Sequence, residues 1–282
     1  MRILLVPNPA NPRSVEATRV VADHLTVLGH QPVLVDEDAA RCGLPLHGVV
    51  RAEVGTPELA IALGGDGTIL KAVHILGMSG TPVLGINLGR LGFLAGAVGE
   101  DLLAAVDSAL AGEACVERRQ TIEASVVAGG RPVGSYQVLN EIFVGRIGQS
   151  RGVELQLSVN GTGLYRFICD GAVLATPTGS TAYALSAGGP IVSPEVRGML
   201  FVPVAAHALN ARPMVLGPAD VVTLSCPNPA RAYACVMVDG DAIPCRTALD
   251  SVEIRVGEHD LHLMKLGGRD FYTTLSTTFL GY

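Results

Sequence analysis

The sequence has no surplus of positive charge. Its 20 lysines and arginines are outnumbered by 26 aspartates and glutamates, and the formal net charge is −6. Proteins that bind nucleic acid or anionic membranes ordinarily concentrate lysine and arginine in a basic patch. We therefore expect neither nucleic acid nor a membrane as a partner. An anionic ligand would have to be held locally, by backbone N–H groups or by a small number of cations.

The sequence also lacks an apolar run that would suit a membrane helix or a secretion signal. Its longest uncharged stretch, residues 171–194, is interrupted by Pro177 and Pro190 and by several glycines and hydroxyl residues. The apolar residues at 1–7 are too few for a signal peptide and suit a buried first strand. We expect a cytoplasmic protein.

The six cysteines form no Cys-x-x-Cys pair and have no histidine at zinc-ligand spacing. Scattered cysteines of this kind are typical of free thiols in a reducing compartment. We expect free thiols, and we expect no metal site built from protein side chains.

The first third of the chain alternates predicted strands and helices. The pattern predicts strands at 2–6, 31–35, 59–63 and 82–87 and helices at 14–28, 68–76 and 101–110. Such alternation favours an open parallel sheet with helices on both faces. We take residues 1–116 as this N-terminal α/β domain.

From residue 117 onward the sequence predicts mostly β structure. Short segments are rich in β-branched residues, and 153–159 alternates apolar and polar side chains. The Asn160-Gly161 pair that follows is typical of a tight hairpin turn. We expect residues 117–282 to form a β-sandwich-like domain, whose tail could pack back on the first domain.

A glycine-rich loop, Gly64-Gly65-Asp66-Gly67-Thr68, joins a predicted parallel strand to a helix. Glycines let backbone N–H groups approach phosphate oxygens, and a helix N-terminus favours anions. We therefore assign Gly64, Gly65, Gly67 and Thr68 to binding of a phosphoryl donor. A carboxylate does not attract phosphate, so Asp66 suits a base that accepts a hydroxyl proton, an Mg²⁺ contact, or both. The alternative is that Asp66 only caps the helix. Thr68 is a second candidate for the N-cap.

A second unusual segment, residues 170–192, has no charged side chain after Asp170 but many glycines and hydroxyl groups. Its polar and apolar residues do not segregate at the helical period, which favours a ligand-holding backbone over an amphipathic helix. Hydroxyl side chains such as Thr178 and Thr181 offer hydrogen-bond donors, and Tyr183 offers a flat face for stacking. The alternatives are a core tyrosine at 183 and an aspartate at 170 that caps the following turn.

Together these motifs resemble those of the NAD kinases. The resemblance extends from about residue 59 to residue 241, in the ordered blocks 64–68, 85–94, 139–141, 170–192, 207–213 and 239–240. The glycine-rich loop alone is similar in phosphofructokinases and diacylglycerol-type lipid kinases, but these lack the run from Thr176 to Tyr183. The resemblance implies a kinase that transfers the terminal phosphoryl group of ATP, or of polyphosphate, to the adenosine 2′-hydroxyl of NAD.

The resemblance also places a set of residues in an NAD pocket, namely Asn140, Glu141, Asp170, Thr181, Ala182, Tyr183 and Ser186. The amide of Asn140 can pair with the donor and acceptor edges of adenine. The carboxylate of Glu141 can accept ribose hydroxyls and repels a ribose that already carries phosphate. Mg²⁺ is implied only with ATP, and NAD kinases tend to be homo-oligomers, so we expect a dimer or a tetramer.

Two features differ from the usual NAD kinase pattern. The tail, residues 266–282, is not the basic helix usual in the family, and Arg146 follows a glycine where many members have Arg-Gly. These differences leave open a paralogue that phosphorylates the 2′-hydroxyl of another nucleoside or nucleotide. A catalytically silent nucleotide-binding regulator is a third hypothesis, against which the intact Asp66 and Asn140-Glu141 argue.

Overall fold

The computed structural model describes residues 1–77, 79–89, 92–148, 152–208, 210–228, 234–245, 247–267 and 270–280. The chain folds into two compact units. The N-terminal unit comprises Met1–Arg118 together with Leu261–Tyr282, and the β unit comprises Arg119–Asp260.

The N-terminal unit is built on an eight-stranded, mainly parallel sheet. Its strands are β1 (Arg2–Pro7), β2 (Gln31–Val35), β3 (Gly48–Val49), β4 (Leu59–Gly64), β5 (Val83–Asn87), β6 (Ala97–Val98), β7 (Cys115–Arg119) and β20 (Leu261–Lys265). The order is β3-β2-β1-β4-β5-β20-β7, and β6 pairs with β5. The central strands β4 and β5 are buried at every position, as expected of parallel strands that are covered on both faces.

The N-terminal unit has the three predicted helices and two shorter ones, α2 and α6, that were not predicted. They are α1 (Pro12–Val27), α2 (Asp36–Cys42), α3 (Asp66–Leu76), α4 (Leu102–Leu110) and α6 (Phe271–Leu275), with a π-helical turn at Ser276–Leu280. Asn11 caps the start of α1 by accepting the Arg13 N–H. α1 is followed by Gly29, which has φ +78° and donates its N–H to the Thr26 carbonyl, as a glycine at a helix C-terminus commonly does.

The β unit consists of two six-stranded antiparallel sheets, so the predicted α/β plus β-sandwich-like fold class is confirmed. The sheet order is β15-β14-β13-β10-β17-β18 in one and β12-β11-β16-β19-β8-β9 in the other. The strands are β8 (Ile122–Ala128), β9 (Arg131–Val138), β10 (Glu141–Arg146), β11 (Val153–Val159), β12 (Thr162–Cys169), β13 (Gly171–Ala175), β14 (Met199–Val204), β15 (Met214–Leu216), β16 (Val222–Ser225), β17 (Ala234–Val238), β18 (Asp241–Ile243) and β19 (Leu249–Val256). Both sheets contribute to one apolar core, to which β10 supplies Ile142 and β11 supplies Leu155. A short helix, α5 (Tyr183–Ser186), follows a 3-10 turn at Thr178–Thr181.

The predicted hairpin after β11 is present. Asn160 and Gly161 both have positive φ, +50° and +79°, as a type I′ turn requires. The predicted alternation in β11 is also confirmed, because Val153, Leu155 and Leu157 are buried between half-exposed polar residues.

The C-terminal end of the chain belongs to a different unit from the one predicted. Residues 117–282 were expected to form one domain, but β20 pairs in parallel with β5 (Leu263 opposite Val83) and joins the N-terminal unit. An apolar alternation identifies a strand without specifying the sheet that receives it. The division is therefore discontinuous in sequence.

Within the described part of the chain, no helix is both long enough and apolar enough to cross a membrane. All six cysteines are free thiols, as predicted, but only Cys42, Cys169 and Cys226 are buried.

Candidate active site

The glycine-rich loop lies at the carboxyl edge of the parallel sheet. β4 ends at Gly64, which is paired with Asn87 at the end of β5. In open α/β sheets this edge is where ligands bind. Gly64 is required by packing, since a Cβ there would lie 2.2 Å from Oγ1 of Thr68. Because Gly64 has no side chain, the first turn of α3 can pack directly on the end of the strand.

α3 begins at Asp66 rather than at Thr68. Its N-cap is Gly65, so the prediction that Thr68 caps a helix over 68–76 is wrong. Thr68 instead lies within the first turn, with only 6% of its surface exposed, and packs against Gly64. Gly65 and Gly67 have no neighbouring atom within 4 Å of an added Cβ. This open, glycine-flanked helix start presents N–H groups and a favourable dipole, as in known phosphate sites.

The Asp66 carboxylate is directed at a loop that follows β5. Oδ2 accepts the Phe93 N–H at 2.8 Å, and Oδ1 accepts the Leu94 N–H at 3.1 Å. A Cβ on Gly92 would lie 2.2 Å from Oδ1, so the approach requires glycine at 92. The alternative that Asp66 only caps α3 is therefore wrong. A carboxylate has about four acceptor positions, so these bonds leave it able to accept a further proton donor.

In the β unit, the backbone at Asn140 and Glu141 is held by Asp239. Its carboxylate accepts the N–H groups of Leu139 at 2.9 Å, Asn140 at 2.7 Å and Glu141 at 3.1 Å. Asp239 has φ +48° in the turn between β17 and β18. Three charge-assisted bonds to consecutive N–H groups fix the start of β10.

The start of the hydroxyl-rich segment packs on this same backbone. Thr176 donates its N–H to the Asn140 carbonyl at 2.9 Å and its Oγ1 hydroxyl to the Leu139 carbonyl at 2.5 Å. A Cβ on Gly179 would lie 2.1 Å from the Asn140 carbonyl oxygen. The structure thus brings Asn140 and Glu141 together with the turn that contains Thr178, Thr181 and Ala182.

Glu141 is a buried carboxyl group with an unused acceptor. Only 8% of the residue is exposed, and Oε2 has no hydrogen-bond partner among the described residues. Burial, and next the charge of Asp239, raise the pKa of Glu141 from 4.5 to about 7, although the Tyr183 N–H bond lowers it. Buried polar atoms are nearly always paired, so Oε2 is a candidate acceptor for a ligand hydroxyl.

The raised pKa of Glu141 predicts a pH-dependent stability. A carboxyl whose pKa is higher in the folded protein stabilises the fold below its unfolded pKa, and this stabilisation is lost as pH rises through the folded pKa. Relative to Glu141→Gln, the wild-type free energy of unfolding should fall by about 1–3 kcal/mol between pH 4.5 and a pH above 7. Denaturant unfolding of both proteins across this range tests the prediction. Parallel pH curves would contradict it.

Tyr183 is a surface residue rather than a core residue. It is 42% exposed and packs edge-to-face on Phe143, with ring centroids 5.5 Å apart and an angle of 85°. The alternative of a core tyrosine is therefore wrong, and part of the ring is accessible for stacking. Ser186 is exposed at the end of α5.

Asp170 lies at the opposite end of the β10–β13 pair from Glu141. Glu141 is opposite Ala175, whereas Gly145 is opposite Gly171. Oδ1 of Asp170 accepts Nε of Arg146 at 2.7 Å, and the side chain is 45% exposed. The predicted pocket residues therefore form two clusters along one strand pair, and Tyr183 contacts Phe143 between them.

Sequence analysis assigned no role to two features. One is Asp239, which had two signals, an Asp-Gly turn and its place in block 239–240 of the family resemblance. The other is the loop at 92–94, whose N–H groups bind Asp66 and whose glycine lies in a block of the family resemblance. Neither contact can be inferred from spacing, because each joins segments that are distant in sequence.

Comparison with known proteins agrees with this geometry. Residues 3–114 match the ATP-NAD kinase N-terminal domain, and residues 139–266 match the ATP-NAD kinase C-terminal domain. The chain is 35% identical to an NAD kinase of Heliobacterium modesticaldum over 96% of this chain and 95% of that protein. It is 36% identical to an NAD kinase of Burkholderia cenocepacia over 97% of this chain and 91% of that protein.

Solved structures give the same result for the fold. An NAD kinase from Archaeoglobus fulgidus in complex with ATP has a TM-score of 0.73 and 25% identity, and the match covers 94% of each chain. Yeast NADH kinase complexed with NADH has a TM-score of 0.88 over 100% of this chain and 88% of that chain, with 24% identity, which supports the fold alone. From the family models and the relatives together, the chain belongs to the ATP-NAD kinase family.

Proposed function

We propose that this protein transfers the γ-phosphoryl group of ATP to the adenosine 2′-hydroxyl of NAD, with Asp66 as the general base. The observation that carries the proposal is the orientation of Asp66 at the carboxyl edge of the sheet. Its carboxylate adjoins a glycine-rich helix start suited to phosphate, is fixed by two N–H donors, and retains capacity to accept a proton.

The reaction needs one proton acceptor and one anion site. Asp66 accepts the proton of the 2′-hydroxyl as the oxygen attacks the γ-phosphorus, and the bond from that phosphorus to the β-γ bridging oxygen breaks to release ADP. Gly64, Gly65 and Gly67 would hold the donor phosphates through backbone N–H groups and the dipole of α3. Thr68 would support this turn, because its own N–H donates to the Gly65 carbonyl at 2.9 Å. Positioning and charge stabilisation supply most of the rate enhancement in phosphoryl transfer.

Mg²⁺ would accompany ATP rather than occupy a protein cage. The described residues contain no group of three or more His, Cys, Asp or Glu side chains able to hold a metal ion. Mg²⁺ in kinases is ordinarily bound by one or two carboxylates together with substrate phosphates. Asp66 fits that pattern as the single carboxylate, and Mg²⁺ would neutralise charge on the phosphates.

The two clusters along β10 and β13 favour a dinucleotide over a free nucleoside. Gly145 lies four positions after Glu141, a distance of about 14 Å along a strand. A nucleoside would contact only one cluster, whereas NAD could contact both. We assign the adenosine end to Asn140, Glu141 and the turn of Thr178, Thr181 and Ala182. We assign the other end to Asp170 and the middle to Tyr183, whose ring packs on Phe143, with Ser186 on the same short helix.

The relatives above carry the names of NAD or NADH kinases, so the alternative of another nucleoside acceptor has no support from them. The direct test of the proposed function is turnover by the purified protein with ATP and Mg²⁺ against NAD, NADH, adenosine and other nucleosides. NADP should be the main product, identified by ³¹P and two-dimensional NMR. A phosphate on the 5′-hydroxyl, or no product from NAD, would contradict it.

We extend the proposal to a cytoplasmic homo-oligomer, a dimer or tetramer. Light scattering of the purified protein would test the oligomeric state.

Glu141→Gln should weaken discrimination between NAD and NADP. The amide can still bond ribose hydroxyls, but it no longer repels a 2′-phosphate. Calorimetry should show the ratio of the NADP and NAD dissociation constants falling about tenfold, as expected from loss of a close like-charge contact. Glu253→Gln, which changes an exposed glutamate on β19, is the matched control. An unchanged ratio in Glu141→Gln would remove this residue from the ribose site.

A further inference from the structure

The C-terminal segment, here residues 264–267 and 270–280, packs against the loop that holds Asp66. The ring of Phe93 lies 5.9 Å from the ring of Phe271, at an angle of 50°, and 5.9 Å from the ring of Phe279, at an angle of 25°. Phe93 therefore packs between α6 and the π-helical turn that follows it, while its own N–H donates to Asp66.

The same segment also binds the loop through polar contacts. Nζ of Lys265 donates to the carbonyl oxygens of Leu94 at 3.1 Å and Ala95 at 2.7 Å. The Leu266 N–H donates to the Gly96 carbonyl at 3.0 Å. The end of the chain thus binds the peptide groups that directly follow the two whose N–H groups orient Asp66.

We propose that this C-terminal segment is a positioning element for Asp66, which rests on the proposed role of Asp66 as the base. The N–H groups of Phe93 and Leu94 each bind a different carboxylate oxygen, so a shift of this loop rotates or releases the carboxylate. Proton transfer requires the base to lie within hydrogen-bond reach of the hydroxyl. A misplacement of about 1 Å can lower a rate about 100-fold.

The chemistry of its helical part, α6 and the π-helical turn, supports positioning rather than phosphate binding. Residues 271–280 contain no charged side chain. The one carboxylate at the start of α6, Asp270, accepts the Thr273 N–H at 2.7 Å and caps the helix. Packing on Phe93 is therefore what this stretch supplies to the N-terminal unit.

Phe279→Ala is the informative variant, because Phe279 is 45% exposed and its removal should leave the fold intact. We expect kcat to fall about tenfold, with KM for ATP and NAD within about twofold of wild type. Hydrogen exchange at the N–H groups of Phe93 and Leu94 should become faster, and Phe279→Tyr should restore both properties. Lys265→Met should act in the same direction. Tyr272→Ala is the matched control, since Tyr272 is 64% exposed and its ring contacts Phe271 rather than Phe93.

The outcomes separate positioning from simple structural support. A normal kcat with faster exchange would mean that the loop is loosened without consequence for Asp66, and the proposal would be overturned. A raised KM with normal kcat would assign the segment to substrate binding and would also overturn it. If the wild-type protein forms no NADP, or Asp66→Asn retains full activity, the proposed function itself fails, whatever the tail variants do.

Discussion

Asp66→Asn should lower kcat by about 10²–10⁴-fold, the loss expected when a general base is removed. Asparagine has nearly the same volume, and its carbonyl oxygen can still accept one loop N–H group. It cannot take the hydroxyl proton, and it carries no charge for Mg²⁺. Dissociation constants for ATP and NAD, measured by calorimetry, should stay within about threefold of wild type, because binding draws on other residues.

The matched control is Asp23→Asn, which makes the same chemical change at an exposed position on α1. It should leave kcat and KM unchanged. Wild-type kcat in Asp66→Asn would show that the carboxylate serves only to hold the Phe93 and Leu94 N–H groups. A loss of nucleotide binding equal to the loss of kcat would instead indicate a collapsed loop.

The elements that could be predicted are those whose signal is local. The strand-helix alternation of the first third and the Asn160-Gly161 turn each depend on neighbouring residues, and both are present. The destination of β20 is not a local property. Its residues are apolar whichever sheet receives them, and pairing with β5 is decided by the packing of a segment more than 170 residues earlier in the chain.

The candidate site shows the same division. Asp66, Asn140 and Glu141 were found because residue chemistry and family resemblance coincide on short motifs. Their supports were missed because each is a contact between distant segments. The Phe93 N–H binds Asp66 across 27 residues, and Asp239 binds the Leu139 N–H across 100 residues. The unused acceptor of Glu141 likewise arises from burial, which the sequence does not specify.

Gly179→Ala should raise KM for NAD about 100-fold and destabilise the protein by about 1–3 kcal/mol, as overpacking does. The added Cβ would lie 2.1 Å from the carbonyl oxygen and 2.7 Å from Cα of Asn140. These are backbone atoms held by Asp239 and Thr176, so they cannot move aside at low cost. Either the Thr178–Thr181 turn or the start of β10 must shift, and both belong to the proposed adenosine site.

The effect is steric rather than conformational, because Gly179 does not have the positive φ that would itself exclude alanine. Gly163→Ala is the matched control, since its Cβ would meet only side-chain atoms, at 3.6 Å and 4.0 Å. Steady-state kinetics and thermal unfolding of the two variants should therefore diverge strongly. If Gly179→Ala keeps the wild-type KM for NAD while losing stability, the turn supports the fold but does not bind NAD. If it keeps both, the close packing of residue 179 on Asn140 is not a feature of the protein in solution.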